Sequence, residues 1–163
     1  MRLKVLGLVA SLALLAACQS APEDAGASTA VGAAGAAAPV QEGPTPGSQE
    51  DLVVNVGDRV FFGFDQYDLT PEARASLDRQ AQWLNQYRGV TVTVEGHADE
   101  RGTREYNLAL GERRANSVKN YLVARGVDPN RVSTLSYGKE RPAVLGSTEA
   151  AWAQNRRGVT VIN

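Results

Sequence analysis

The stretch Val90–Gly126, "VTVTVEGHADERGTREYNLALGERRANSVKNYLVARG", holds two different periodicities separated by one charged loop. Val90, Val92 and Val94 alternate with Thr91, Thr93 and Glu95, the period of a half-buried strand. From about Arg104 to Arg125 the apolar and small residues recur at helical spacing, and Gly126 stops the run with Pro129 beyond it. A strand feeding a long helix through a short loop predicts an α/β domain.

Working outward, Val60–Phe64 is a second strand candidate, with a shorter extended piece expected at Leu52–Val56. Thr70-Pro71-Glu72 supplies an N-cap, a proline at the first helical position and an acid at the positive end of the dipole. The helix it opens runs to about Tyr87, with Ala73, Leu77, Ala81 and Leu84 on its core face. Val132–Tyr137 reads as a third strand, Glu149–Asn155 as a short helix and Val159–Ile162 as a last strand. This order, β-α-β-α-β-(α)-β, predicts a compact two-layer α/β sandwich. If the first two strands are parallel neighbours, Asp65 and Asp99 stand on one rim.

Before this domain the chain changes character. Arg2 and Lys4 precede the apolar run Val5–Leu15, which ends in Leu15-Ala16-Ala17-Cys18, the layout of a secretory signal over residues 1–17. That run is too short to span a bilayer comfortably. Cys18, the only cysteine, sits where the lipobox of bacterial lipoproteins places its acylated residue, which the segment resembles. Each buried acyl methylene contributes about 0.8 kcal/mol, so several chains hold a protein on a membrane stably. Gln19 stands where aspartate is associated with inner-membrane retention in some lineages, which favours the outer membrane.

Residues 18–50 contain "AGASTAVGAAGAAAPVQEGPTPGSQ", without aromatics and with few branched apolar residues, and cannot bury enough surface to offset chain entropy. As a flexible tether of some thirty residues its ends would lie roughly 30 Å apart, with a stretched limit near 100 Å. Residues 51–163 hold every aromatic and form one expected domain. The formal charge of −1 becomes more acidic once Arg2 and Lys4 leave with the signal, so no polycationic face suits nucleic acid.

Catalysis is a poor fit to the charged loop. His97 is the only imidazole, the expected mature domain has no thiol, and the loop offers Thr103 alone as a hydroxyl nucleophile. A zinc site needs several His or Cys ligands. A carboxylate-based cell-wall enzyme using Asp65, Asp99 and Glu100 stands as the lesser alternative, and His97 is expected to be structural, hydrogen-bonded within the turn.

The helix gives the sharper signal. Centred on Val118 at 100° per residue, a wheel places Asn107, Gly111, Arg114, Ala115, Tyr121 and Leu122 within about 60°, and Arg113 on the opposite side. A guanidinium on such a face is costly unless carboxylates meet it. Either Arg114 pairs internally with Asp99 or Asp65, or Arg114 and an aspartate each take one charge of a ligand carrying both a carboxylate and an ammonium. Gly96 and Gly102 would let backbone approach such a ligand, and the helix N-terminus at Thr103–Glu105 offers amide donors to its carboxylate.

"VEGHADERGTREYNLALGERRANSVKNYL", "LSYGKERPAVLG" and "QNRRGVTV" closely resemble the OmpA-like domain family, in its peptidoglycan-associated lipoprotein (Pal) branch, across Val60–Ile162. The resemblance implies a four-stranded mixed sheet with two long helices on one face, no enzymatic activity and no cofactor. It implies binding of the meso-diaminopimelate residue of the peptidoglycan stem peptide by Asp99 and Arg114, supported by Asn107 and Leu110, with Phe64 and Asp65 completing the pocket and Arg101 at its edge. It also implies an outer-membrane anchor, a periplasmic domain, TolB and other Tol proteins as partners, and a part in envelope constriction at division. Gly111 stands where many OmpA-type members have serine, and Gly158 where alanine is expected. A related alternative is a wall-binding module attached to a membrane motor or sensor.

Overall fold

The structure, a computed structural model, describes residues 43–163. The expected signal, Cys18 and the tether up to residue 42 lie outside the described residues. The chain forms α1 (Gln49–Asp51, widening to π geometry over Leu52–Val56), β1 (Arg59–Phe61), α2 (Pro71–Gln86), β2 (Val92–His97), α3 (Arg104–Ala124), β3 (Val132–Gly138), α4 (Glu149–Asn155) and β4 (Arg157–Ile162). The four strands make one mixed sheet in the order β1-β4-β2-β3, with β4 antiparallel to both neighbours and β2 parallel to β3. The expected α/β sandwich is therefore present.

Two local expectations are corrected. Leu52–Val56 is helical rather than extended. Ser48 caps the segment by accepting from the Asp51 amide, and the Asp51 carboxylate takes the Gly47 amide, Asn55 Nδ2 and Trp83 Nε1. Leu52 alone is fully buried, so one anchor and a set of caps outweigh the β-branched content of the run. The Gln49 side chain also bonds Thr160 and Ile162, so the folded body reaches back before Asp51. Second, β1 and β2 are not neighbours, because β4 lies between them. Both oppose β4, so they still run parallel to each other, and their carboxyl ends still face one rim of the sheet.

The helices cover one face. Val60, Val92, Val94 and Val132 pack beneath Leu77, Ala81 and Leu84 of α2 and Ala115, Val118 and Leu122 of α3. Each such large aliphatic contributes roughly 1.5–3 kcal/mol on burial. Gln80 is buried among them because Nε2 donates to the Gly57 carbonyl and Oε1 accepts from Thr160 Oγ1. On α3 the buried residues are Asn107, Leu110, Gly111, Arg114, Ala115, Val118 and Leu122, close to the face the wheel selects, while Arg113 is exposed.

Candidate functional site

Three chain segments meet at the carboxyl ends of β1 and β2. After β1 the Phe62 amide still bonds the Arg156 carbonyl, and then the chain turns sharply, with Gln66 N donating to Gly63 O and Asp65 at φ 56°. A left-handed aspartate is uncommon and, in a site, worth a functional reading. After β2, Ala98 is tied to the Gly138 carbonyl, and the loop Asp99–Thr103 reaches α3 through Gly102, whose φ of 92° suits glycine. Thr103 caps α3 by accepting from the Tyr106 amide. Asn107 holds the loop from below, its Nδ2 donating to the Arg101 and Thr103 carbonyls at 2.8 and 3.0 Å.

These segments enclose a pocket of about 200 Å³ lined by all seven expected residues, Phe64, Asp65, Asp99, Arg101, Asn107, Leu110 and Arg114. Gly102 and Tyr106 complete the lining. Tyr106 lies about 120° from Val118 on the wheel, off the core face, which hides it from a search along that face. Its hydroxyl donates to Asp65 across the mouth. That bond and the nearby Asp65 charge push the Tyr106 phenol above its usual pKa.

Arg114 forms the floor and shows no surface to solvent, 0%. It makes no ion pair among the described residues, so the internal pair with Asp99 or Asp65 does not form. Instead Nε donates to the Gln66 carbonyl at 2.8 Å, Nη1 to His97 at 2.7 Å and Nη2 to Gly63 at 3.1 Å. Three of the five N–H donors are thus satisfied by main chain, leaving one on each terminal nitrogen. Burial lowers the Arg114 pKa to about 10, partly offset by the field of Asp99, so the group stays cationic at neutral pH.

Asp99 is paired rather than free. Its Oδ2 accepts from Arg101 Nη2 at 2.5 Å and from Arg156 Nη1 at 3.4 Å, and its Oδ1 from the Arg101 amide and Nε at 3.1 and 3.2 Å. Burial raises its pKa, but Arg101 and then Arg156 outweigh that and hold the carboxyl below its usual range. Arg101 is itself stacked between Phe64 and Trp152, 4.1 and 4.0 Å from the two ring centroids. Arg156 also donates to the Phe62 carbonyl at 3.0 Å and to Glu149 Oε1 at 2.7 Å. Nothing in the sequence pattern marks Arg156, Trp152 or Glu149 for the rim. "QNRR" gave two adjacent arginines at a strand start with nothing to say which faces the rim.

Two neighbouring groups differ from expectation. His97 is buried, but the hydrogen bond expected within the turn is not made: neither ring nitrogen has a partner among the described residues, and Glu95 Oε2 is 3.6 Å away. Burial, with Arg157 next, lowers its pKa to about 4. Gly96 serves the approach of α3 to β2 rather than of a ligand: a Cβ there would stand 1.8 Å from the Gly111 carbonyl oxygen. Glu100, the third carboxylate of the enzyme alternative, turns to Trp152, whose Nε1 donates to it at 3.0 Å.

The arrangement offers a cation and an anion in one small pocket with an apolar wall of Phe64 and Leu110. A family model described as the OmpA family matches residues 61–156. A peptidoglycan-associated lipoprotein of Rhizobium meliloti (strain 1021) is 53% identical over 161 residues, covering 97% of this chain and 86% of that protein. The crystal structure of the peptidoglycan-associated lipoprotein from Burkholderia pseudomallei aligns with a TM-score of 0.63 at 42% identity, covering 65% of this chain and 90% of that one. The C-terminal domain of Helicobacter pylori MotB aligns with a TM-score of 0.60 at 23% identity, covering 65% and 84%, a likeness of fold alone. Relatives at the higher identities are lipoproteins and not enzymes, which removes the carboxylate-enzyme alternative. The chain belongs to the OmpA family, in its peptidoglycan-associated lipoprotein branch.

Proposed function

We propose that this protein is an outer-membrane lipoprotein whose periplasmic domain binds peptidoglycan non-covalently through the meso-diaminopimelate residue of the stem peptide. The observation that carries the reading is the meeting of Phe64, Asp65, Asp99, Arg101, Asn107, Leu110 and Arg114 in one pocket. The amino-acid head of diaminopimelate carries a carboxylate and an ammonium on one carbon. Arg114 has one N–H left on each terminal nitrogen, the donor set for a bidentate carboxylate contact, and Asp99 is the buried carboxylate to receive the ammonium. Leu110 and the Phe64 ring suit the methylenes of the side chain.

Cys18 takes the lipid once residues 1–17 are removed, and the chain from there to the Ser48 cap of α1 forms the tether between membrane and wall. Family membership supports this layout, and the 53% identity to a peptidoglycan-associated lipoprotein against 23% to MotB favours it over a motor-attached module. In this reading the protein works with TolB and the other Tol proteins in envelope integrity and constriction. Mass spectrometry of the mature N-terminus tests the anchor, since an unmodified Cys18 or a retained Met1 overturns it.

Pull-down of the full-length chain on purified sacculi tests the site. Asp99→Ala and Arg114→Ala should each lose binding by tenfold or more, whereas Arg113→Ala retains it. Charge-assisted hydrogen bonds contribute roughly 1.5–3 kcal/mol each, which sets that scale. Sacculi with lysine in place of diaminopimelate keep the ammonium but lack the carboxylate beside it, and should bind weakly. Equal binding to both kinds of sacculus overturns the diaminopimelate assignment.

A further inference from the structure

The acceptor capacity of Asp99 is fully used within the protein. An ionised carboxylate offers about four hydrogen-bond positions. Oδ1 takes the Arg101 amide and Nε, and Oδ2 takes Arg101 Nη2 and Arg156 Nη1, so four donors already converge on it. A ligand ammonium can reach Asp99 only by displacing one of them. The Arg101 amide is part of the turn, and Arg156 is buried at 8% side-chain exposure with two further partners. The Arg101 side chain is different, being 31% exposed.

The geometry points to Arg101 as a displaceable internal cation that competes with the ligand's ammonium for Asp99, and so sets which ligands the pocket accepts. This inference rests on the reading of the pocket given above. Arg101 lines the same pocket as Asp99 and Arg114, and Arg114 beneath it presents no surface to solvent. Release of Arg101 from Asp99 therefore frees two acceptor positions and loosens one wall of the route to Arg114. A neutral ligand has nothing to offer Asp99 in exchange for a guanidinium and is refused. A ligand carrying an ammonium and a carboxylate compensates both ends.

Displacement leaves a mark elsewhere. Arg101 stacks on Trp152, and Trp152 Nε1 donates to Glu100, which lies beside Ala98, Lys139 and Leu145 at a neighbouring hollow. Movement of the guanidinium therefore changes the surroundings of Trp152 directly. The only other tryptophan, Trp83, is a buried residue of α2 bonded to Asp51, away from the pocket lining.

The test titrates the full-length chain in detergent with a soluble stem peptide carrying diaminopimelate, following tryptophan fluorescence and affinity together. For an internal competitor, Arg101→Gln binds more tightly than wild type by about twofold to fivefold, the range of a partly exposed ion pair, with Arg101→Lys between them. Wild-type fluorescence changes saturably with ligand, and the change is lost in Trp152→Phe. Weaker or unchanged affinity in Arg101→Gln, or a fluorescence change that survives Trp152→Phe, overturns the inference; weaker binding would make Arg101 a direct ligand contact. The wild-type signal keeps the test decisive if the Gln variant fails to fold. Absence of wild-type binding, or indifference to Arg114→Ala, instead counts against the pocket reading itself.

Discussion

Gly96 of β2 and Gly111 of α3 meet backbone to backbone: a methyl on Gly96 would stand 1.8 Å from the Gly111 carbonyl oxygen. This contact seats α3 directly on the strand one turn before Arg114, and from there Arg114 Nη1 reaches the His97 carbonyl at the strand's end. Gly96→Ala must lift the helix, since the obstacle is main chain, and should cost about 2–4 kcal/mol in denaturant unfolding while weakening sacculus binding. Gly111→Ala should cost less. Its Cβ would meet the Ser136 hydroxyl at 2.3 Å and the Gly96 carbonyl oxygen at 2.8 Å, a milder main-chain clash than the one at Gly96, and alanine gains about 1 kcal/mol of helix propensity.

Asn107 joins the floor of the pocket to its loop. Its two donors hold the Arg101 and Thr103 carbonyls, and the residue is almost wholly buried. Asn107→Ala should reduce stability by about 1–3 kcal/mol, the cost of orphaned carbonyls, and weaken binding by releasing the loop that carries Asp99. Amide hydrogen exchange over residues 99–103 checks the cause, because protection there should fall more than in the core strands.

Most of the fold is legible because its signals are local. Alternation gives β2, the Thr70 cap and the helical spacing from about Arg104 start the two long helices within a residue, and the wheel picks out Arg114 as the cation on the core face. The order of strands is not local. Placing β4 between β1 and β2 depends on pairing across nearly a hundred residues, and no periodicity encodes it. Leu52–Val56 misleads for a related reason, since Asp51 is fixed by Trp83 far along the chain. In the site, residue types and approximate roles can be read, but partners cannot. Arg114 is held by three carbonyls that only the fold brings together, and the Asp99 pairing with Arg156 joins residues 57 apart.

His97 makes stability depend on pH. Its ring is buried beside Arg157, with Arg141, Tyr137 and Glu95 around it, and its pKa is lowered to about 4. In the unfolded chain the imidazole takes a proton as pH falls through about 6.5, whereas the folded protein resists until about 4. Proton uptake thus favours the unfolded state across that window. Stability should be full above about pH 7, decline between about 6.5 and 4, and lose no more from this group below that. Urea midpoints measured across the range should show a flatter profile in His97→Gln, and an unchanged slope would show that other groups cause the decline.

Arg156 ties three segments at the rim, reaching Phe62 after β1, Asp99 after β2 and Glu149 at the start of α4. Arg156→Met removes a buried cation from between them and should destabilise the domain by about 3–5 kcal/mol, the scale for breaking a buried pair. It should also move a functional property that loss of packing alone leaves in place. Arg156 is one of the groups that hold the Asp99 carboxyl below its usual pKa. A depressed carboxylate keeps its charge down to its folded pKa and loses it as pH falls through that value, and ammonium binding is lost with it. Without Arg156 the Asp99 pKa rises, so sacculus binding should fail at a higher pH than in wild type. Glu149→Gln breaks the exposed end of the same chain and should leave that acid limb nearly unmoved. A pH series of pull-downs on the two variants separates an electrostatic effect on Asp99 from a general loosening of the rim, which would lower binding at every pH alike.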